Sequence, residues 1–340
     1  MDKFTRSMLM NVGILKDARL DELDGSGVCR ATPTRPAEPL DEKVGFNLGW
    51  DYAQLLGWFP EGELDRNFLG GFETGRRRGG ILALPDRFTR KWLQLRYNAW
   101  KRNRAFDENV TPAFLQLIDR PYCPVMRTEL THATGEVSDW SVDRLNNQGG
   151  YAIGNLAVMS TKANAAKGAR GLEDIEELCR MHGPAEGLTP LEWKRMLSLV
   201  TGAYSIARNV EILHPLCITP PPYVPLNFFQ ELQLVIAKEC GKKPSELLDA
   251  VRKLLPSKAL SRQFQKIVQK IKHCRQKSAP LMEVWLQPPL QEALQDFYLK
   301  LPPATVVELR QVVEAALGSE RVSDDMQQRW ALENKGFSKP

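Results

Sequence analysis

Paired cysteines are missing from this chain. Its six cysteines, Cys29, Cys123, Cys179, Cys217, Cys240 and Cys274, follow no paired spacing, which argues against a disulfide framework and against a CxxC zinc ribbon. A reducing cytoplasm is therefore the expected location. The fragment "CRMH" puts Cys179 and His182 at one-turn helical spacing, and two ligands do not make a zinc site, so both are expected to pack on a helix. Long apolar runs are also missing: nothing approaches the roughly 18 to 20 residues of a membrane span, and no membrane role is expected. The opening "MDKFTRSMLMNVGILKDARLDELDGSG" places acids soon after a short apolar stretch and offers no small-residue cleavage site, so a secretory leader is not expected. No internal repeat is evident.

What is present fits a globular protein: 340 residues, of which 43% are hydrophobic and 26% charged, enough for two or three domains and at least one buried core. The net charge of +5 is modest, and two windows carry most of the excess. Localised positive charge is the footprint expected of a phosphate-backbone partner.

Residues 1–43 mix Gly, Pro, Thr and charges without periodicity and read as an arm and linker. In 44–120 the pattern turns helical. Trp50, Ala53, Leu55 and Leu56 recur at helical steps, and a long helix from about Pro85 to Arg104 carries an apolar stripe of Phe88, Trp92, Leu95, Ala99 and Trp100. Thr111 and Pro112 look like the start of a shorter helix. Within 121–183 the period changes. "SDWSVDRL" alternates, with Trp140, Val142 and Arg144 on one side and Ser141, Asp143 and Leu145 on the other; "LAVMS" is a second short apolar run, and "NNQGGYAIGN" between them is rich in turn residues. A two-stranded ribbon follows, then a helix at "TKANAAKG", with Ser160 or Thr161 to cap it and Gly168 to end it. Such a ββα unit of about thirty residues buries too little to stand alone, so it must pack on the basic helical segment before it. A connecting helix is expected over 184–213, and Pro-punctuated helices form a separate C-terminal domain over 214–340. The fold expected is α+β and mostly α-helical: a small ββα finger on basic helices, plus a helical C-terminal domain.

Hydrolysis of a phosphodiester needs a divalent ion to stabilise charge on the phosphate and a base to activate water. Magnesium asks only for oxygen ligands, often one or two from protein. Asp143 near the end of the first strand and Asn164 in the first turn of the following helix would be brought together by the ribbon, while the Asn155 amide can hold the ribbon's connection in shape.

"CPVMRTEL" followed by "WSVDRLNNQGGYAIGNLAVMSTKANAAKG" resembles the HNH-type nucleases of the His-Me finger group, and most closely their phage and mobile-element branch with an "SLDRID…GY…GNV…S…AN…K" signature. The resemblance covers about Arg87 to Glu177. It implies Asp143 and Asn164 as metal ligands, for Mg2+ or Mn2+, and Asn155 as the structural asparagine. Position 144 corresponds to the general base, usually His. Here it is Arg144, which stays protonated and cannot take a proton from water. In the matching branch an arginine at this position belongs to the pattern. Three readings stand open. Arg144 binds or polarises a phosphate while another group or a metal-bound water is the base, with His132 in "LTHATG" the nearest candidate; or chemistry is lost and a nucleic-acid-binding module survives; or Arg144 is a salt-bridge residue. Cys123 of "CPV" reads as core packing, since position 126 is Met where zinc-binding relatives carry a second Cys, and no zinc is expected.

The first basic window, "RRRGG" through Arg104, holds ten Lys or Arg and one acid, Asp86. Because its helix precedes the finger, Arg87, Arg90, Lys91, Arg102 and Arg104, with Lys167 of the finger, are expected to contact nucleic acid. The second window, Arg252 to Lys277, contains no acid, and Arg262, Lys266 and Lys270 line one helical face opposite Phe264, Ile267 and Ile271. The function expected is a divalent-metal-dependent endonuclease acting on double-stranded DNA rather than RNA. The alternatives are a catalytically silent DNA-binding protein and a module that binds a protein partner through its C-terminal helices.

Overall fold

Side-chain caps fix where most of the helices begin. In the computed structural model, which describes residues 42–59, 65–79, 85–242, 244–274 and 280–318, Asp65 accepts from the backbone of Asn67 and Phe68 to open α2 (Arg66–Arg78), and Asp86 accepts from Thr89 to open α3 (Arg87–Lys101). The expected arm lies outside the described residues as far as position 41. Upstream of α2, α1 (Glu42–Leu55) runs against it at backbone contact. A Cβ at Gly49 would sit 1.9 Å from the Phe68 carbonyl oxygen, and one at Gly71 would sit 1.9 Å from that of Phe46. Only glycine permits that approach.

Two cores meet at α3. Leu93, Tyr97 and Trp100 join Leu48, Tyr52, Phe68 and Phe72 in a small aromatic cluster, while Leu95 and Ala99 enter a much larger one. The single apolar stripe expected of this helix is in fact two faces, because the helix is buried from both sides. Thr111 caps α4 (Pro112–Leu117) through the Phe114 amide.

The sheet is a single antiparallel pair, β1 (Trp140–Arg144) and β2 (Leu156–Ser160), in a register that sets Val142 opposite Val158 and Asp143 opposite Ala157. All five residues of β2 are buried, as its unbroken apolar run requires. Ser160 accepts from Ala163 to start α5 (Thr161–Lys167), which ends at Gly168. Two further helices follow, α6 (Leu172–Arg180) and α7 (Pro190–Arg208), the latter opened by a reciprocal Thr189–Glu192 capping box. Then come α8 (Phe228–Glu239), α9 (Glu246–Leu254), α10 (Lys258–Cys274), a 3-10 turn (Leu281–Leu286), α11 (Pro288–Leu299) and α12 (Pro303–Leu317). The described residues are thus mostly helical with one small sheet. Among the described residues no helix is long and apolar enough to cross a membrane.

The expected boundary at 213/214 is not a break in the core. One cluster runs from Leu95 of α3 through β1, β2 and α7 to Val313 of α12, and Leu216, Cys217, Ile218 and Val224 of the Pro-rich stretch belong to it. That stretch is held inside because its backbone is answered: the Leu216 amide donates to Gln233 Oε1 at 2.8 Å and the Cys217 amide to Ser198 Oγ at 3.0 Å. A charged knot ties the "CPVMR" loop to the same helices. Arg195 donates to the Val125 carbonyl at 3.1 Å, and Arg195 and Arg127 lie 2.7 and 2.8 Å from Glu283.

The glycine contact generates a test. Gly71→Ala forces a methyl group against the Phe46 carbonyl, and overpacking of this kind costs about 1–3 kcal/mol. Denaturant unfolding should report that loss, whereas Gly70→Ala, with open space at its Cβ, should gain stability through helix propensity. Equal effects at the two positions would count against the close packing of α1 and α2.

Candidate functional site

Alternation along β1 divides its side chains between two surfaces. Ser141 and Asp143 face α5. Asn164 donates its amide to Ser141 Oγ at 2.7 Å, and Lys167, one helical turn further along, places Nζ 2.8 Å from Asp143 Oδ2 and 2.9 Å from Asn147 Oδ1. The ribbon and the helix thus bring Asp143, Asn164 and Lys167 together on one face. Asn147 completes the ring by donating to the Gly168 carbonyl at 3.0 Å.

Lys167 differs from expectation. It is fully buried, with its ammonium held by Asp143 and Asn147, and it does not stand at the surface as a phosphate contact. The physical reason is the i,i+3 offset from Asn164, which points it into the same face of β1. A signal for this was present in the spacing of "AN..K", though not in the charge pattern.

Arg144 is buried too, on the opposite side of the strand. Nη1 donates to the carbonyls of Asn147 and Gly149, each at 2.9 Å, and the guanidinium lies over the Tyr151 ring, 5.0 Å from its centre. Among the described residues it has no acidic partner, and its Nη1 is committed to the 145–155 loop. The same loop is braced from within by Asn155, which is wholly buried: Oδ1 accepts from the Asn146 amide at 2.8 Å and Nδ2 donates to the carbonyls of Asn146 and Gly150. Gly149 must be glycine here, because a Cβ would come within 2.5 Å of Asn155 Nδ2.

His132 does not join Asp143. The Trp140 amide donates to the Thr131 carbonyl at 2.9 Å, which sets His132 edge-on to the Trp140 ring, 5.6 Å between centres. Trp140 belongs to the face with Val142 and Arg144, the one opposite Asp143. Its Nδ1 is buried without a hydrogen bond, and burial followed by the Arg87 charge holds the imidazole below its usual pKa. Among the described residues no hydrogen bond joins it to Asp143.

The basic helix is likewise divided. Arg87 pairs with Asp119 and lies over Phe88, while Lys91 lies 5.6 Å over the Trp140 ring and donates to Gln94. Burial pushes the Lys91 amine down to about 8, with Asp139 opposing the shift. Arg102 donates to the Tyr151 hydroxyl at 3.4 Å and Arg104 to the Gln148 carbonyl at 3.5 Å, so both reach the loop beside the site. Arg90 is exposed on α3.

The donor chemistry suits a hard cation. Asp143 Oδ2 is buried, has an ion pair and no aligned hydrogen bond, and Asn164 commits its NH2 to Ser141, which leaves its amide oxygen as an acceptor. Magnesium needs no more than one or two such oxygens. Among the described residues no three His, Cys, Asp or Glu side chains gather as a metal cage. No family model, curated protein or solved structure matches the chain.

The Asp143–Lys167 pair predicts strong coupling. Asp143→Asn leaves a buried ammonium uncompensated and Lys167→Met leaves a largely buried carboxylate, each expected to cost about 3–5 kcal/mol. In the double variant much of that loss should return. Chemical denaturation of the four proteins reads the coupling, and additive losses would mean the two side chains do not stabilise one another.

Proposed function

We propose that the chain is a divalent-metal-dependent endonuclease that hydrolyses phosphodiester bonds in double-stranded DNA, with β1, β2 and α5 forming an HNH-like ββα finger. The observation that carries this reading is that Asp143, paired with Lys167, and Asn164, bonded to Ser141, lie on one face of the ribbon–helix unit beside a loop that Asn155 holds in shape. Asp143 and Asn164 would hold Mg2+ or Mn2+, which supplies charge stabilisation at the scissile phosphate. Lys167 fixes the rotamer of Asp143, and Arg144 and Asn155 fix the loop. Arg90, exposed on α3, and Arg102 and Arg104 beside the loop would meet the DNA backbone. No side chain is assigned as base, since Arg144 serves the loop and His132 packs on Trp140 with no hydrogen bond to Asp143.

One observation favours a second reading. The Lys167 ammonium, 2.8 Å from Asp143 Oδ2, already supplies a positive charge where a metal would act. A finger stabilised in this way can persist as a nucleic-acid-binding module without chemistry.

Plasmid incubated in magnesium, manganese and EDTA separates the two. The nuclease reading expects metal-dependent nicking that falls at least about 100-fold in Asn164→Ala and Asp143→Ala, a loss of the order seen when a transition-state contact is removed. His132→Ala should keep its activity. Far-ultraviolet circular dichroism checks that each variant is folded, and Mn2+ binding followed by electron paramagnetic resonance gives a readout apart from turnover. A mobility shift without cleavage in any metal would discard the nuclease in favour of the silent binder.

A further inference from the structure

Away from the ribbon, α10 presents a continuous basic surface. It turns Leu260, Phe264, Ile267 and Ile271 into the core and leaves Lys258, Arg262, Lys266, Lys270 and Lys272 exposed. Several surface cations elsewhere are answered by acids: Arg180 by Glu176, Lys242 by Glu239, Lys300 by Asp296. Among the described residues none of the five on α10 has an ion-pair partner, and the sequence from Arg252 to Lys277 contains no acid to provide one.

Spacing adds to the charge. Lys258, Arg262, Lys266 and Lys270 recur every fourth residue, a rise of about 6 Å per step that drifts slowly around the helix. Like charges four residues apart destabilise a helix modestly, a cost that an anionic partner lifts, and a nucleic-acid duplex carries about one negative charge per 1.7 Å of axis. We propose that this stripe is a second nucleic-acid docking surface, which grips the phosphate backbone of a duplex. A membrane is a poorer partner, because an amphipathic helix binds lipid by its apolar face and here that face is in the core. A protein interface would want an apolar centre, and no apolar side chain interrupts the stripe.

The proposal stands apart from cleavage: Asp143 and Asn164 carry the chemistry, whereas α10 carries affinity. Binding of a labelled duplex by the full chain is measured in EDTA across a salt series. For the triple variant Arg262→Gln, Lys266→Gln, Lys270→Gln, the slope of log affinity against log salt should fall by about 2 to 3, since each lost phosphate contact removes roughly 0.9. A control that removes the same charge elsewhere, Arg180→Gln, Lys242→Gln, Lys300→Gln, should keep the native slope, and thermal melting verifies that both variants fold. Lys266→Glu alone should weaken binding more at low salt than at high salt. Equal slopes in the two triple variants would overturn the proposal. So would absence of duplex binding by the native chain, or a loss confined to anionic vesicles or polyglutamate.

Discussion

Lys167 carries its ammonium to a position with no solvent exposure, and Asp143, Asn147 and α5 are arranged around that one charge. A buried ammonium is tolerated only with close, hydrogen-bonded partners. Meeting this demand fixes three things at once: the distance of α5 from β1, the rotamer of Asp143, and the course of the loop through Asn147. Asn147 transmits the constraint further, because its amide donates to the Gly168 carbonyl where α5 ends while its own backbone carbonyl accepts from Arg144. Two cations therefore clamp the loop from opposite sides of one strand, one by a side chain and one by backbone carbonyls.

This local clamp is embedded in a larger frame. The ββα unit buries too little surface to be stable alone, and here all of β2 is buried in one core with residues of helices from before and after it in the chain. Arg195 and Arg127 meeting at Glu283 extend the frame to the C-terminal helices. Such a network contributes more to register than to net stability, because desolvation offsets much of the attraction. A change in the C-terminal helices can consequently be felt in the "CPVMR" loop next to β1, with no linker to absorb it.

Local patterns made much of this legible in the sequence. The caps at Thr111 and Ser160, the ribbon, its alternation and its turn-rich connection are short-range features, and each was present in the order of residues. What was hidden depended on contacts distant in sequence. The side on which His132 falls is decided by the Thr131–Trp140 backbone pairing, and no periodicity in "LTHATG" encodes it. Lys167 reads as a surface cation on a short helix, because its burial follows from the ribbon lying over it. The Pro-rich run after His214 resembles a linker until Gln233 and Ser198 are seen to satisfy its amides. In each case a local rule gave way to a tertiary partner that supplied what the local environment lacked.

Position 144 shows how structural and chemical demands can compete for one residue. A guanidinium offers several donors at the end of a long side chain, and Arg144 uses one nitrogen to hold two loop carbonyls while its plane covers Tyr151. A neutral imidazole has one donor and a shorter reach. Histidine here could not satisfy both carbonyls and would leave one of them unpaired, at about 1–3 kcal/mol where that acceptor is buried. The loop it loosened is the one that carries Asn147, and through Asn147 the partner of Lys167 and the setting of Asp143. A base introduced at this position would arrive with the carboxylate it was meant to serve less firmly placed, so arginine in this finger is coupled to the geometry of Asp143 and cannot be read as a simple loss of histidine.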